Sequence, residues 1–98
     1  MKYYVGDVGT EIIVEVGSEI DAATVMQLLI KKPSGVEVTW DCEIGPVDAY
    51  GKFTTIMYVV KPGDWDEPGW WIVQSYIEMP GWQGKGDSAK FELKSSFK

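Results

Sequence analysis

Asp64, Asp66 and Glu67 stand within four residues of one another, the tightest carboxylate cluster that invites a chemical reading. Their oxygens suit Ca²⁺, which takes about six to eight oxygen ligands. The segment lacks the ligand spacing of a calcium loop, however. An Asp beside Gly63 is a common turn cap, so the plainer reading is a turn held by Asp64, with Asp66 and Glu67 in water. Carboxylate pairs also drive glycoside hydrolysis when set about 5 to 10 Å apart across a cleft. With 15 Asp and Glu in 98 residues, chance pairs are common, and so short a chain leaves little room for a deep cleft. Gly81, Gly84 and Gly86 fit neither the dinucleotide fingerprint nor the P-loop, and no helix follows to hold an anion. They read as a hairpin turn.

The remaining chemistry is recognition by aromatic rings. Trp65, Trp70 and Trp82 could stack on a sugar, which would make the chain a carbohydrate-binding module. Trp and Tyr are equally the anchors of protein–protein interfaces, and that use is preferred.

What is missing narrows the field further. The chain has no His, Arg or Asn. It therefore lacks the usual proton shuttle near neutral pH, the commonest metal ligand and the forked donor that grips phosphate. A net charge of −6 opposes binding to nucleic acid or an anionic membrane. Catalytic residues, metal and cofactors are all expected to be absent. Cys42 is the single cysteine, so no internal disulfide or thiolate zinc site can form. No leader and no apolar run long enough to cross a bilayer is apparent, which suggests a soluble chain made in the cytoplasm.

The elements that must position these residues announce themselves by period-two alternation bounded by Gly, Pro and Asp. Such runs occupy 2–5, 10–16, 24–32, 36–44, 53–60, 70–79 and 88–94. In 10–16, Ile12, Val14 and Val16 share one face, while Ile13 joins Glu11 and Glu15 on the other as an exposed apolar residue. Segment 24–32 tolerates a helix, but Pro33-Ser34-Gly35 ends it as a hairpin would, favouring a strand with Met26, Leu28 and Ile30 inward. In 36–44 the alternation places Cys42 in the core. The run 53–60 alternates poorly, implying cover on both faces. In 70–79, Trp71, Val73, Ser75 and Ile77 face one way and Trp70, Ile72, Gln74 and Tyr76 the other, with 80–86 a glycine-rich turn. Fraying is confined to the last few residues.

These residues also carry a resemblance. Gly6-Asp7-Val8-Gly9-Thr10, Ala23-Thr24-Val25, Lys32-Pro33-Ser34-Gly35, Trp40, the stretch Gly63-Asp64-Trp65-Asp66-Glu67-Pro68-Gly69 leading into Trp71 and Gln74, then Gly81-Trp82-Gln83-Gly84 and Phe91 resemble small immunoglobulin-like structural proteins of tailed bacteriophages and prophages. The likeness extends to the amino-terminal domain of baseplate upper proteins. It implies a virion component of tail, baseplate, neck or capsid surface, and it brings no catalytic residues. The chain departs from the baseplate relatives by ending soon after the sandwich.

The expectation is therefore one domain over 1–98, an all-β immunoglobulin-like antiparallel sandwich of about seven strands. Its inner faces would come from Ile12, Val14, Met26, Leu28, Ile30, Val38, Trp40, Val73, Ile77, Phe91 and Leu93. Its expected work is non-enzymatic assembly with other phage structural proteins in symmetric copies within a virion. The interface would be Trp65, Trp70, Ile72, Tyr76 and Trp82, with sugar binding as the alternative.

Overall fold

The computed structural model describes residues 3–95. Lys2, which opens the first expected strand, and the last residues, where fraying is expected, lie outside the described residues. Within them the chain is all β: β1 Tyr3–Tyr4, β2 Glu11–Glu15, β3 Val25–Lys31, β4 Glu37–Asp41, β5 Glu43–Ile44, β6 Thr55–Val59, β7 Gly69–Met79 and β8 Trp82–Lys94. The strands form two sheets, ordered β1-β8-β7-β3-β4 and β2-β6-β5, which pack as a β-sandwich. All pairings are antiparallel except β1 with β8. That parallel pair corrects the fully antiparallel expectation. Parallel neighbours need a long connection, and here the rest of the domain supplies it.

The run 36–44 is two strands, which raises the number to eight. β4 pairs with β3, and Cys42 N still donates to Met26 O at 2.8 Å. One residue later Glu43 and Ile44 pair with Met57 and Ile56 in the other sheet. The chain turns the corner between sheets here, as sandwich strands do.

A second correction concerns 80–86. The turn is Pro80-Gly81 alone, with Met79 facing Trp82 across it. Pro sets the first central position and Gly81, at φ 81°, supplies the left-handed one that a type II turn demands. Residues 82–86 are therefore strand. Between Gln74 and Tyr76 the β7–β8 register slips by one, so Ser75 faces two residues of β8. Ser75 is buried in this bulge, and a Cβ on Gly86 would lie 2.4 Å from its Oγ. Glycine at position 86 makes room for that hydroxyl.

The expected inward residues Leu28, Ile30, Trp40, Val73, Ile77 and Leu93 are buried, with Ile12, Val14, Met26, Val38 and Phe91 packed against them. A chain of aromatic rings crosses this core. Tyr58 stacks on Trp40 at 4.5 Å, Trp40 meets Trp71 at 6.3 Å, and Trp71 stacks on Phe91 at 6.1 Å. Trp65 then packs against Phe91 at 5.7 Å and Tyr3 at 5.5 Å. Rings of this size bury on the order of 150–250 Å² each, so they dominate the cohesion of so small a domain. The cover expected on both faces of 53–60 is absent: Ile56, Tyr58 and Val60 are buried, while Val59 on the opposite face is 41% exposed. A two-layer sandwich covers each sheet once.

Cys42 is half-buried against the core, not enclosed by it. Burial, reinforced by the charge of Asp41, pushes its thiol up to about 12. The native state therefore holds this proton more tightly than the unfolded chain, and the associated stability, complete below about pH 9, is lost as pH rises towards 12. Cys42→Ser is expected to cost about 1–3 kcal/mol, because it puts a hydroxyl where packing favours sulfur. Denaturant melts at pH 7 check this, and an unchanged midpoint would contradict it.

Candidate docking surface

β7 lies at the centre of the larger sheet, so its alternation decides what that sheet shows to its surroundings. Trp71, Val73, Ser75 and Ile77 are buried, which turns Trp70, Ile72, Gln74 and Tyr76 outward. Trp70 is 58% exposed, while Ile72 and Tyr76 are half-buried. Cross-strand pairing places Leu29 beside Gln74 and Val25 beside Glu78 on this same face. Both β3 residues were legible as the outward partners of Met26, Leu28 and Ile30, and they extend the apolar band beyond the expected residues.

Trp65 is not part of that surface. It is 2% exposed, with its ring between Tyr3 and Phe91 and its carbonyl accepting Gly6 N at 3.0 Å. The connection between β6 and β7 folds back over the open end of the sandwich and uses this indole as a plug. Its Nε1 has no hydrogen-bond partner among the described residues.

Trp82 is 47% exposed but belongs to the opposite face. It opposes Met79, which shares the parity of Trp71 and Ile77, and directly opposed residues project from the same side of a sheet. Its ring lies over Gly84, where an added Cβ would come within 2.8 Å of it. From Trp70 to Met79 is nine residue steps of about 3.3 Å, which puts the two exposed indoles about 30 Å apart. Trp65, Trp70 and Trp82 thus form no common platform.

The acidic cluster is dispersed among protein donors. Asp64 accepts from the Tyr58 hydroxyl and from Lys61 N at 2.8 Å, closing the turn after β6. Asp66 takes Lys32 Nζ at 2.9 Å, and Glu67 takes Ser34 N at 3.1 Å and Ser34 Oγ at 2.9 Å. Asp64 is the turn cap expected, but Asp66 and Glu67 are engaged by protein groups. They pin the β3–β4 turn to the β6–β7 connection. No metal-holding group of carboxylates occurs among the described residues. Millimolar Ca²⁺ or a chelator is expected to leave the melting temperature unchanged. A ligand at a hundred times its dissociation constant would add about 2.7 kcal/mol, so a calcium-dependent rise would refute this.

An open cleft of about 370 Å³ between β2 and the β1–β8 edge is lined by Tyr3, Ile12, Ile13, Trp65 and Phe91, with Thr10 and Glu11 as its polar members. It offers one carboxylate and no second acid or base. The face of the smaller sheet is different again. Glu11, Ile13 and Glu15 alternate outward along β2, opposite Val59, Met57 and Thr55, with Glu43 beside Met57. Ile13, expected from the sequence to be exposed, is 48% so. Each sheet therefore presents apolar side chains outward, but in unlike electrostatic settings. Comparison of the chain with protein-family models, with curated proteins and with solved structures finds no match.

Proposed function

We propose that this chain is a non-catalytic, immunoglobulin-like assembly module of a tailed-bacteriophage particle, made in the host cytoplasm and docked on other virion proteins by the outer face of its larger sheet. The observation that carries the reading is the apolar band of Trp70, Ile72, Leu29 and Tyr76 across that face. An outward band of this kind marks an interaction surface more often than solvent-exposed scaffolding. Aromatic anchors concentrate binding energy at such surfaces.

The strand order supports the immunoglobulin-like part. The smaller sheet takes the second, sixth and fifth strands, and the larger takes the third, seventh and eighth flanked by the fourth and the first, the fourth being an added edge strand as in variable-type domains. The chain departs from antibody domains in having no second cysteine for an inter-sheet disulfide. The phage part rests on the resemblance of the turn segments around Gly6, Pro33 and Asp64. In the fold these are the connections that hold the sandwich ends together.

Mass spectrometry of purified particles tests the reading. The chain is expected among the virion proteins at many copies per particle. Its absence from particles that form normally would overturn the proposal.

A further inference from the structure

We propose that β2 is an acceptor strand: its free edge takes an extended segment of another protein, whose alternate apolar side chains enter the cleft beside it and whose basic residue lies opposite Glu11. This edge is separate from the outer face of the larger sheet and draws on different residues.

β2 is an edge of the smaller sheet and pairs on one side only, with β6. The phase of that ladder is fixed at its ends, where Val60 N donates to Thr10 O at 2.9 Å and Val16 N donates to Thr54 O at 2.8 Å. Hydrogen-bonded positions alternate along an antiparallel pair, so Thr10, Ile12, Val14 and Val16 use their backbone groups on β6. The N–H and C=O groups of Glu11, Ile13 and Glu15 therefore point away from β6, and no described residue bonds to them. Groups of this kind on a sheet edge are what an added strand pairs with.

The other edges are short or guarded. β1 and β5 have two residues each, and in β1 Asp7 takes Tyr4 N with its carboxylate and Tyr4 O with its own N–H. The length of β8 that β1 leaves free carries Lys85, Lys90 and the bulge, devices that keep edges from pairing. β4 presents Glu37, Thr39 and Asp41, all polar, at the positions whose backbone groups face away from β3. β2 has five regular residues with no lysine, proline or bulge, and Ile13 stands at its centre.

The cleft sets what the incoming strand must carry. It opens between β2 and the β1–β8 edge, with Tyr3, Ile12, Trp65 and Phe91 as apolar lining and Glu11 as its only charged member. At about 370 Å³ it lies at the small end of the range for ligand pockets, about 300–1,000 Å³, so it admits a few side chains and excludes a folded partner. A strand laid along β2 turns alternate side chains to the side of Ile12 and Val14, which pack toward the core. The residue opposite Glu11 projects beside its carboxylate, where an opposite charge is stabilising. That carboxylate has no partner among the described residues, whereas Glu15 already accepts from Gly17 N at 2.8 Å and from Thr54 Oγ1 at 3.2 Å.

The capped peptide Ser-Lys-Val-Thr-Val-Lys-Ser tests this, since it reads the same in both directions and so suits parallel or antiparallel addition. At about 2 mM it is expected to shift the amide resonances of β2 and the ring signals of Trp65 and Phe91, and to slow hydrogen exchange at the Glu11, Ile13 and Glu15 amides by about threefold or more. Ser-Lys-Thr-Val-Thr-Lys-Ser takes the valines from the cleft-facing positions, and Ser-Glu-Val-Thr-Val-Glu-Ser reverses the charge. Each is expected to bind at least about fivefold more weakly. Ile13→Pro removes a donor that β6 does not use, so it is expected to keep native circular dichroism and lose peptide binding. Ile13→Thr keeps the N–H and is expected to bind as wild type does. If the proline variant does not fold, exchange on the unaltered chain decides the matter. Absence of protection at β2, protection at another strand edge instead, equal binding of the glutamate peptide, or undiminished binding by a folded Ile13→Pro would each overturn the assignment.

Discussion

Trp65→Ala is expected to lower the stability of the domain by about 3–5 kcal/mol, the range for removing a large aromatic from a packed core. Small domains have about 5–15 kcal/mol in total, so a large fraction of the molecules would unfold well below the wild-type transition. The cause is local and specific. The indole is 2% exposed and holds Tyr3 and Phe91 apart at the end of the aromatic chain, so its loss leaves a cavity bounded by β1, β8 and the β6–β7 connection. Trp65→Phe keeps a ring in that space and removes the indole N–H that lacks a partner among the described residues. It is expected to recover most of the loss, because a buried donor without an acceptor is itself a cost of about 1–3 kcal/mol. Urea melts of the three proteins check both results. If Trp65→Ala melted with the wild-type midpoint, the plug would be wrong and the residue would again be a candidate for surface recognition.

The case of Trp65 shows where sequence reading reached its limit. A tryptophan among Asp64, Asp66, Glu67 and Pro68 has the composition of a solvated loop, and nothing in its neighbours sets a period that would point it inward. It is buried because the connection folds back, fixed by Gly6 N on its carbonyl and by Lys32 and Ser34 on the adjacent carboxylates. Those contacts join residues more than thirty positions apart and leave no local trace. By contrast, the faces of β3 and β7 were fully legible, because both strands obey period two between clear turn signals.

The split of 36–44 was hidden for a related reason. Alternation records whether a side chain points toward or away from the core, and both sheets have their cores on the same side of the strand as it crosses. Val38, Trp40, Cys42 and Ile44 all pack inward although the first two belong to one sheet and Ile44 to the other. The bulge opposite Ser75 was hidden because the glycines around it suggested a turn. What they do there is make room for the Ser75 hydroxyl and the Trp82 ring. Of the expected interface, Trp70, Ile72 and Tyr76 share a face, Trp82 lies on the other, and Trp65 lies inside.

Replacing Trp70 and Tyr76 together with Ser is expected to leave the monomer folded and to abolish its incorporation into particles. Stability should fall by no more than about 2 kcal/mol, because Trp70 is 58% exposed and the half-buried Tyr76 loses little beyond its hydrogen bond to Glu78. Binding should suffer far more. An aromatic anchor at the centre of an interface is worth about 2–4 kcal/mol, so two of them weaken each contact by about a thousandfold or more. Repeated copies would compound the loss around a symmetric particle. The measurement pairs a urea melt of the purified variant with its abundance in particles assembled in the absence of wild type. If the variant unfolds, the outer face of β7 contributes to the core more than its exposure implies, and docking must be sought at the turns. If it folds and enters particles at wild-type abundance, the outer face of the larger sheet is not the docking surface, because no interface centred on these rings could survive their removal.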